Sequence, residues 1–353
     1  KFLHACINAE IEQICEVLTN TPKGKLAFIA DYEVGASNSI RLLHTIADRL
    51  NADIYAAPYH VREVINPLSV NYKGRLSDKS GEVHNLLLQY ETVVLLGEKV
   101  KGYLYTGQSS IPQGIRFIQI SAASEHLAFD YPCDLAILGN LEATLTAISK
   151  HLKINGLNVP LKPATNIKNL EKKYKQHPLH SLIVTLLNQV NRSVHLITEG
   201  SSEDAIVQDI ATTLGFLNVN FSPRGGGLGW AMPLAIGISL ATRHHSICFV
   251  GDGGSMYAIH SIWSAAKYKI PVIFICFVNR EYRVLKTDMS QNRSFTEEDF
   301  FRLDLNHPPI DVQQIALSFG AQVKTIKSKE EVETVLKSSF AFQGPTFITL
   351  YHQ

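Results

Sequence analysis

Two stretches decide how this chain is read: Ile247-Cys-Phe-Val-Gly-Asp-Gly-Gly254 and, further on, Val272-Ile-Phe-Ile-Cys-Phe-Val-Asn279. Their continuous apolar runs are those of strands buried on both faces. Between them Ile259, Ile262, Trp263 and Ala266 recur at helical spacing, so the segment predicts strand, helix, strand in a parallel sheet. In such sheets ligands bind beyond the carboxyl ends of the strands, and both Asp252 and Asn279 emerge at that edge. If the two strands pair, two hard oxygen donors stand close enough to share one cation. One carboxylate and one amide are too few for a complete protein cage. They suit Mg²⁺, which keeps waters and takes further oxygens from phosphates. Gly251, Gly253 and Gly254 let the backbone approach a phosphate, and the following helix N-terminus favours negative charge.

The same alternation extends in both directions. Upstream, helical patterns at Ile7–Leu18 and Ser39–Leu50 alternate with strand patterns at Leu26–Ala30, Ala52–Ala56, Val93–Leu96 and Arg116–Ser121. Residues 1–152 therefore read as one α/β domain. Residues 153–178, with Asn155-Gly156, Pro160, Pro163 and the charged run 171–175, read as an exposed linker. Residues 179–353 return to helix and strand and close on the strand Thr346–Tyr351. The expected architecture is α/β, with two doubly wound parallel-sheet domains.

Composition excludes several classes. Among 353 residues, 33 Lys and Arg balance 32 Asp and Glu, a net charge of +1 that argues against a general nucleic-acid binder. The most apolar run, 271–278, is too short to span a bilayer, and the first thirty residues show no signal or transit pattern. Five scattered cysteines (Cys6, Cys15, Cys133, Cys248, Cys276) form no Cys-x-x-Cys pair, so the expectation is a reduced, cytoplasmic protein without a disulfide framework or zinc site. The chain begins at Lys1, which fits a piece of something longer.

Gly251-Asp252-Gly253, then the 25 residues 254–278, then Asn279, resembles the signature of the thiamine-diphosphate-dependent enzymes. Gly226-Gly-Leu-Gly-Trp-Ala-Met-Pro-Leu-Ala-Ile-Gly237 and Ser261-Ile-Trp-Ser-Ala-Ala-Lys-Tyr-Lys-Ile-Pro271 resemble further segments of that family. The domain order is similar to the middle and last thirds of its pyruvate-oxidase and decarboxylase branch. The text around 279–283 looks most like the benzoylformate decarboxylases and their relatives. The resemblance implies that Asp252 and Asn279 ligate Mg²⁺ by side chain and Glu281 by its backbone carbonyl. It implies that Gly253 and Gly254 approach the diphosphate, with Ser255 or backbone N–H groups supplying a bond there. Ser201 and Ser202 would touch the phosphates from the other side, an ordinary helix cap before Asp204 being the alternative. Gly226 would offer its carbonyl to the aminopyrimidine and Leu228 would be the apolar wedge beneath the bent cofactor. Tyr282 would lie over the phosphate end, with Trp230 and Trp263 as packing groups.

The family's pyrimidine-binding domain, which carries the catalytic Glu, has no counterpart in these residues. The resemblance thus implies half a site, no catalytic residue in this chain, no decarboxylase activity from it alone, and a homodimer or homotetramer formed through that domain. In the middle domain a His-Pro of the benzoylformate decarboxylases is matched by Ser69-Val70, with Asn66-Pro67 and His60 nearby. That departure weakens an aryl substrate. No Gly-x-Gly-x-x-Gly marks a nucleotide site there. The expected activity is thiamine-diphosphate- and Mg²⁺-dependent decarboxylation of a small 2-oxo acid. The alternatives are an acetolactate-synthase-like or oxidase-like carboligase, or a non-catalytic nucleotide- or cofactor-binding module.

Overall fold

Alternation of side chains along each buried strand explains the architecture. The computed structural model describes residues 8–58, 63–98, 100, 107–157, 159–161, 172, 174–199, 202–216, 227–290 and 296–352. The chain divides into two compact units, Lys1–Pro163 and Ala164–Gln353.

In the first unit β1 (Leu26–Ala30), β2 (Asp53–Ala56), β3 (Tyr72–Arg75), β4 (Thr92–Leu96), β5 (Arg116–Ser121) and β6 (Leu135–Leu138) form a parallel sheet ordered β3-β2-β1-β4-β5-β6. Leu26, Phe28 and Ala30 enter the core on one face, while Ala27 and Ile29 enter the core on the other. Both faces are dry because helices cover both, so the run carries no polar residue. The segment expected to start the linker is partly bound to this unit: Leu161 bridges Ser69, and the Val70 amide donates to the Pro160 carbonyl at 3.0 Å. Ser69 is fully buried; His60 lies outside the described residues.

In the second unit β7 (His195–Glu199), β8 (Ser246–Gly251), β9 (Val272–Val278), β10 (Gln322–Thr325) and β11 (Thr346–Tyr351) form a parallel sheet ordered β10-β11-β9-β8-β7. Ile247, Phe249, Ile273, Ile275 and Phe277 build the core on one face. Cys248, Val250, Val272, Phe274, Cys276 and Val278 build the core on the other. The two cysteines behave as small hydrophobes, and burial pushes both thiols well above their ordinary pKa.

The sequence reading does not include β3, β6 or β10: β3 and β10 are polar and half-exposed with no continuous apolar run, and β6 is a four-residue strand at the sheet edge. The stretch after Asn279 contains the helix Arg283–Ser290 and a 3₁₀ segment at Glu297–Leu303. Trp263 differs from its expected packing role. It is 53% exposed, with the Lys267 ammonium 4.9 Å from its ring centroid. Among the described residues no helix is long and apolar enough to cross a membrane.

The stacked rings of Phe249 and Phe277, with centroids 6.0 Å apart, join β8 and β9 beneath the sheet's carboxyl edge. Phe277→Ala should destabilise the chain by about 3–5 kcal/mol. A denaturant midpoint that hardly moves would show that this face of the sheet repacks.

Candidate functional site

Parallel pairing of β8 with β9 sets Gly251 opposite Phe277, so the residues that follow each strand leave the sheet side by side. Asp252 opens the short helix Asp252–Ser255 and is 4% exposed. Its Oδ1 accepts the Gly253 amide at 2.9 Å and its Oδ2 the Arg280 amide at 2.7 Å. Burial raises the Asp252 carboxyl above its ordinary pKa, and these amide donors restrain the rise. The Asn279 Oδ1 accepts the Glu281 amide at 3.0 Å. The 279–282 loop is pinned by backbone pairing, since the Tyr282 amide donates to the Leu303 carbonyl at 2.8 Å and the Leu305 amide to the Arg280 carbonyl at 2.7 Å.

The Glu281 side chain is engaged away from any metal role. Its carboxylate accepts from Arg283 Nε at 2.6 Å and Lys286 Nζ at 2.8 Å. Burial works against its charge, but these two cations prevail and hold it below the usual carboxylate range. Lys286 also reaches Asp304 at 2.5 Å. Sequence reasoning gave Lys286 no role; the fold makes it half of the clamp on Glu281. What remains available from residue 281 is its main-chain carbonyl.

Ser202, Leu228, Gly253, Gly254, Asn279 and Tyr282, with Asp252 and Glu281, line one narrow cleft of about 60 Å³. It is narrow because the Tyr282 ring covers Gly253. A Cβ built on Gly253 would stand 2.6 Å from Tyr282 Cε1 and 3.2 Å from Leu305 Cδ1, so only glycine fits. Gly254 is different, its nearest neighbours being Val250 Cγ2 at 3.6 Å and the Glu199 carbonyl at 3.8 Å. Ser255 does not line this cleft; it is fully buried and its hydroxyl donates to the Asp252 carbonyl at 2.7 Å. Gly226 and Ser201 lie outside the described residues.

Ser202 does not act as the cap of the helix Asp204–Thr213. Its hydroxyl donates to Glu203 Oε1 at 2.8 Å. Glu203 is a site residue that the sequence did not disclose. It is fully buried, with His352 Nε2 at 2.8 Å and His177 Nε2 at 3.7 Å from the same oxygen. His352 in turn meets Arg283 Nη1 through its Nδ1 at 2.9 Å. A chain of polar contacts thus runs from Ser202 on one wall of the cleft to Arg283 on the other. Burial alone would raise the Glu203 carboxyl, but the neighbouring imidazoles of His177 and His352 and the Ser202 hydroxyl overcome it and bring it to about 2.

Asp252, Asn279 and Glu281 line one cleft at the strand ends. Among the described residues no group of three or more His, Cys, Asp or Glu side chains is placed to hold a metal. A cation here would therefore need oxygens from its ligand as well, which suits Mg²⁺ with a diphosphate. In the first unit the edge at β1 and β4 is acidic. Asp31, Glu33 and Glu98 are all buried there, with Asp31 Oδ2 accepting the Glu98 amide at 3.0 Å and Glu33 Oε2 the Ala122 amide at 2.8 Å.

Residues 207–350 match the family model described as thiamine pyrophosphate enzyme, C-terminal TPP binding domain. That match covers most of the second unit. The chain is 25% identical to a benzoylformate decarboxylase of Pseudomonas aeruginosa over 321 residues, 90% of this chain and 59% of the relative. It is 24% identical to an acetolactate synthase of Bacillus subtilis over 80% of this chain and 50% of the relative. Its fold is that of the benzoylformate decarboxylase structure from Polynucleobacter necessarius, with a TM-score of 0.83 at 21% identity over 99% of this chain and 65% of that one. A 4-hydroxybenzoylformate decarboxylase of Rhodococcus jostii gives a TM-score of 0.81 at 22% identity, covering 100% of this chain and 66% of that one. The chain thus spans less than two thirds of the length of these relatives.

The two glycines of this turn should respond oppositely to the same change. Gly253→Ala must displace the Tyr282 ring and should cost about 1–3 kcal/mol, whereas Gly254→Ala should be neutral or stabilising by up to about 1 kcal/mol. Equal thermal shifts in the two variants would contradict the packing described. Glu203 predicts an acid limb. Its folded pKa lies below its unfolded value, so its contribution is complete above about pH 4.5 and fades as pH falls toward about 2. Glu203→Gln should flatten stability against pH over that window, as read by urea unfolding between pH 2 and 6.

Proposed function

We propose that this chain supplies the diphosphate- and metal-binding half of a thiamine-diphosphate- and Mg²⁺-dependent decarboxylase acting on a small 2-oxo acid. The observation that carries the reading is the β8–β9 register, which brings Asp252 and Asn279 to one edge beside a glycine that tolerates no side chain. In this reading Asp252, Asn279 and the Glu281 carbonyl hold Mg²⁺. Gly253, Gly254 and Ser202 border the diphosphate, and Tyr282 lies over that end. Because the Ser202 hydroxyl is committed to Glu203, its backbone is what remains to face a phosphate. Ser255 supports the turn from behind rather than touching the ligand. Leu228, 45% exposed at the cleft, offers an apolar surface to the thiazolium. When bound, the cofactor supplies the electron sink that lets a 2-oxo acid lose CO₂.

The residues of this chain perform the electrostatic part. A metal clamp at a buried edge neutralises the diphosphate without exposing it to water. The Arg283 and Lys286 clamp would keep the Glu281 carboxylate from competing for the cation, so that residue 281 would hold it by its main-chain carbonyl. The similarity to an acetolactate synthase supports a second reading, in which the decarboxylated fragment passes to another 2-oxo acid. The homodimer or homotetramer and the cytoplasmic setting expected from the family belong to the same proposal.

Thermal unfolding with thiamine diphosphate plus Mg²⁺, NAD or FAD tests this reading. The first pair should raise stability by about 2.7 kcal/mol at 100 times its dissociation constant; stabilisation by NAD alone would sink it. Asp252→Ala should retain cooperative unfolding and lose Mg²⁺-dependent binding. Calorimetry that finds unchanged affinity in this variant would remove Asp252 from the metal set.

A further inference from the structure

Glu199 ends β7 and is 3% exposed, yet it touches neither the expected metal donors nor a basic side chain among the described residues. Its carboxylate accepts the backbone amides of Gly229, Trp230 and Ala231. These are the opening amides of the helix Ala231–Thr242, whose N-cap Trp230 has no side-chain cap of its own. Such amides ordinarily go to a neighbouring Ser, Thr, Asp or Asn. Here a carboxylate some thirty residues upstream fills the position, with the favourable end of the helix dipole toward it.

The consequence falls on Leu228, the residue just before these amides. Gly229 has φ +94° in the left-handed region, and a Cβ there would stand 3.1 Å from Tyr257 Cβ. The turn is therefore held by the carboxylate through its amides and crowded by Tyr257. Between these constraints Leu228 stays 45% exposed at the cleft. Leaving a leucine half in water forgoes hydrophobic stabilisation that a bound apolar ring would restore. The same Glu199 offers its carbonyl 3.8 Å from the Cβ position of Gly254, so one residue adjoins both the turn bearing Leu228 and the phosphate turn.

We propose that Glu199 is a positioning residue that holds Leu228 in the cleft and so makes the site prefer thiamine diphosphate over inorganic diphosphate. The assignment rests on the function proposed above and adds a determinant of specificity to it. A carboxylate is required because all the facing groups are donors. An amide in its place would turn an N–H₂ toward an N–H and lose at least one bond.

Calorimetric titration of the 353-residue chain with Mg²⁺ plus inorganic diphosphate, and separately with Mg²⁺ plus thiamine diphosphate, tests the assignment. The unmodified chain should bind both, thiamine diphosphate more tightly; if it binds neither, the proposed function fails, and this inference with it. Glu199→Gln and Glu199→Asp should keep inorganic diphosphate affinity within about twofold and weaken thiamine diphosphate by roughly tenfold. Leu228→Ala should match them. Equal weakening of both ligands, or thiamine diphosphate affinity unchanged in the Glu199 variants, would overturn the positioning role while leaving the proposed function standing. Failure of both Glu199 variants to fold would also overturn it, by making Glu199 a determinant of the fold instead.

Discussion

Parallel pairing of β8 with β9 is the constraint on which the site depends. The register that sets Gly251 against Phe277 also puts Phe249 and Phe277 on one face and Val250 and Val278 on the other. A slip of one residue would turn every one of these side chains to the opposite face. Register is thus enforced by the burial of many apolar groups, and the positions of Asp252 and Asn279 follow from it. The hydrophobic core places the strand ends, and the Arg280 amide bonded to Asp252 ties the loop that begins at Asn279 to the turn after β8.

Around that edge three nearly buried carboxylates are kept in different ways. Asp252 takes backbone amides from its own turn and from Arg280, and its affinity for a proton is raised by burial. A cation bound there would relieve that cost. Glu199 takes the opening amides of a helix, a fixed dipole that needs no mobile partner. Glu203 takes two imidazoles and a hydroxyl, and its carboxyl is pulled down to about 2. Only the first lines the cleft with Asn279 and Glu281. The other two organise what lies on either side, Glu199 the turn that bears Leu228 and Glu203 the contacts between Ser202 and Arg283.

The Glu281 clamp follows the same logic at the surface of the cleft. A free carboxylate beside a cation would bind it directly and alter its coordination. Arg283 and Lys286 satisfy that carboxylate, and the 279–282 loop is simultaneously stitched to 303–305 through the backbone. Charge pairing thus commits the side-chain carboxylate of residue 281, and main-chain pairing fixes the loop that bears it.

The apolar runs Leu26–Ala30, Val93–Leu96 and Val272–Val278 were legible as strands because a strand buried on both faces needs no polar residue. The Gly-Asp-Gly turn and Asn279 were legible because their spacing is local to one strand–helix–strand unit. By itself the sequence determined the α/β class, the parallel sheets and the pair Asp252 and Asn279. It did not disclose β3 or β10, whose half-exposed edges lack an apolar signature, nor β6, a short edge strand of four residues. Nor did it disclose Glu199, Glu203, His177 or His352. Glu199 and Gly229 are thirty residues apart, and Glu203 and His352 are further apart still. Such partners have no periodicity or motif to announce them. Only the tertiary structure decided them, because a buried carboxylate takes whichever donors the packed elements bring to it, and that choice is made in space rather than along the chain.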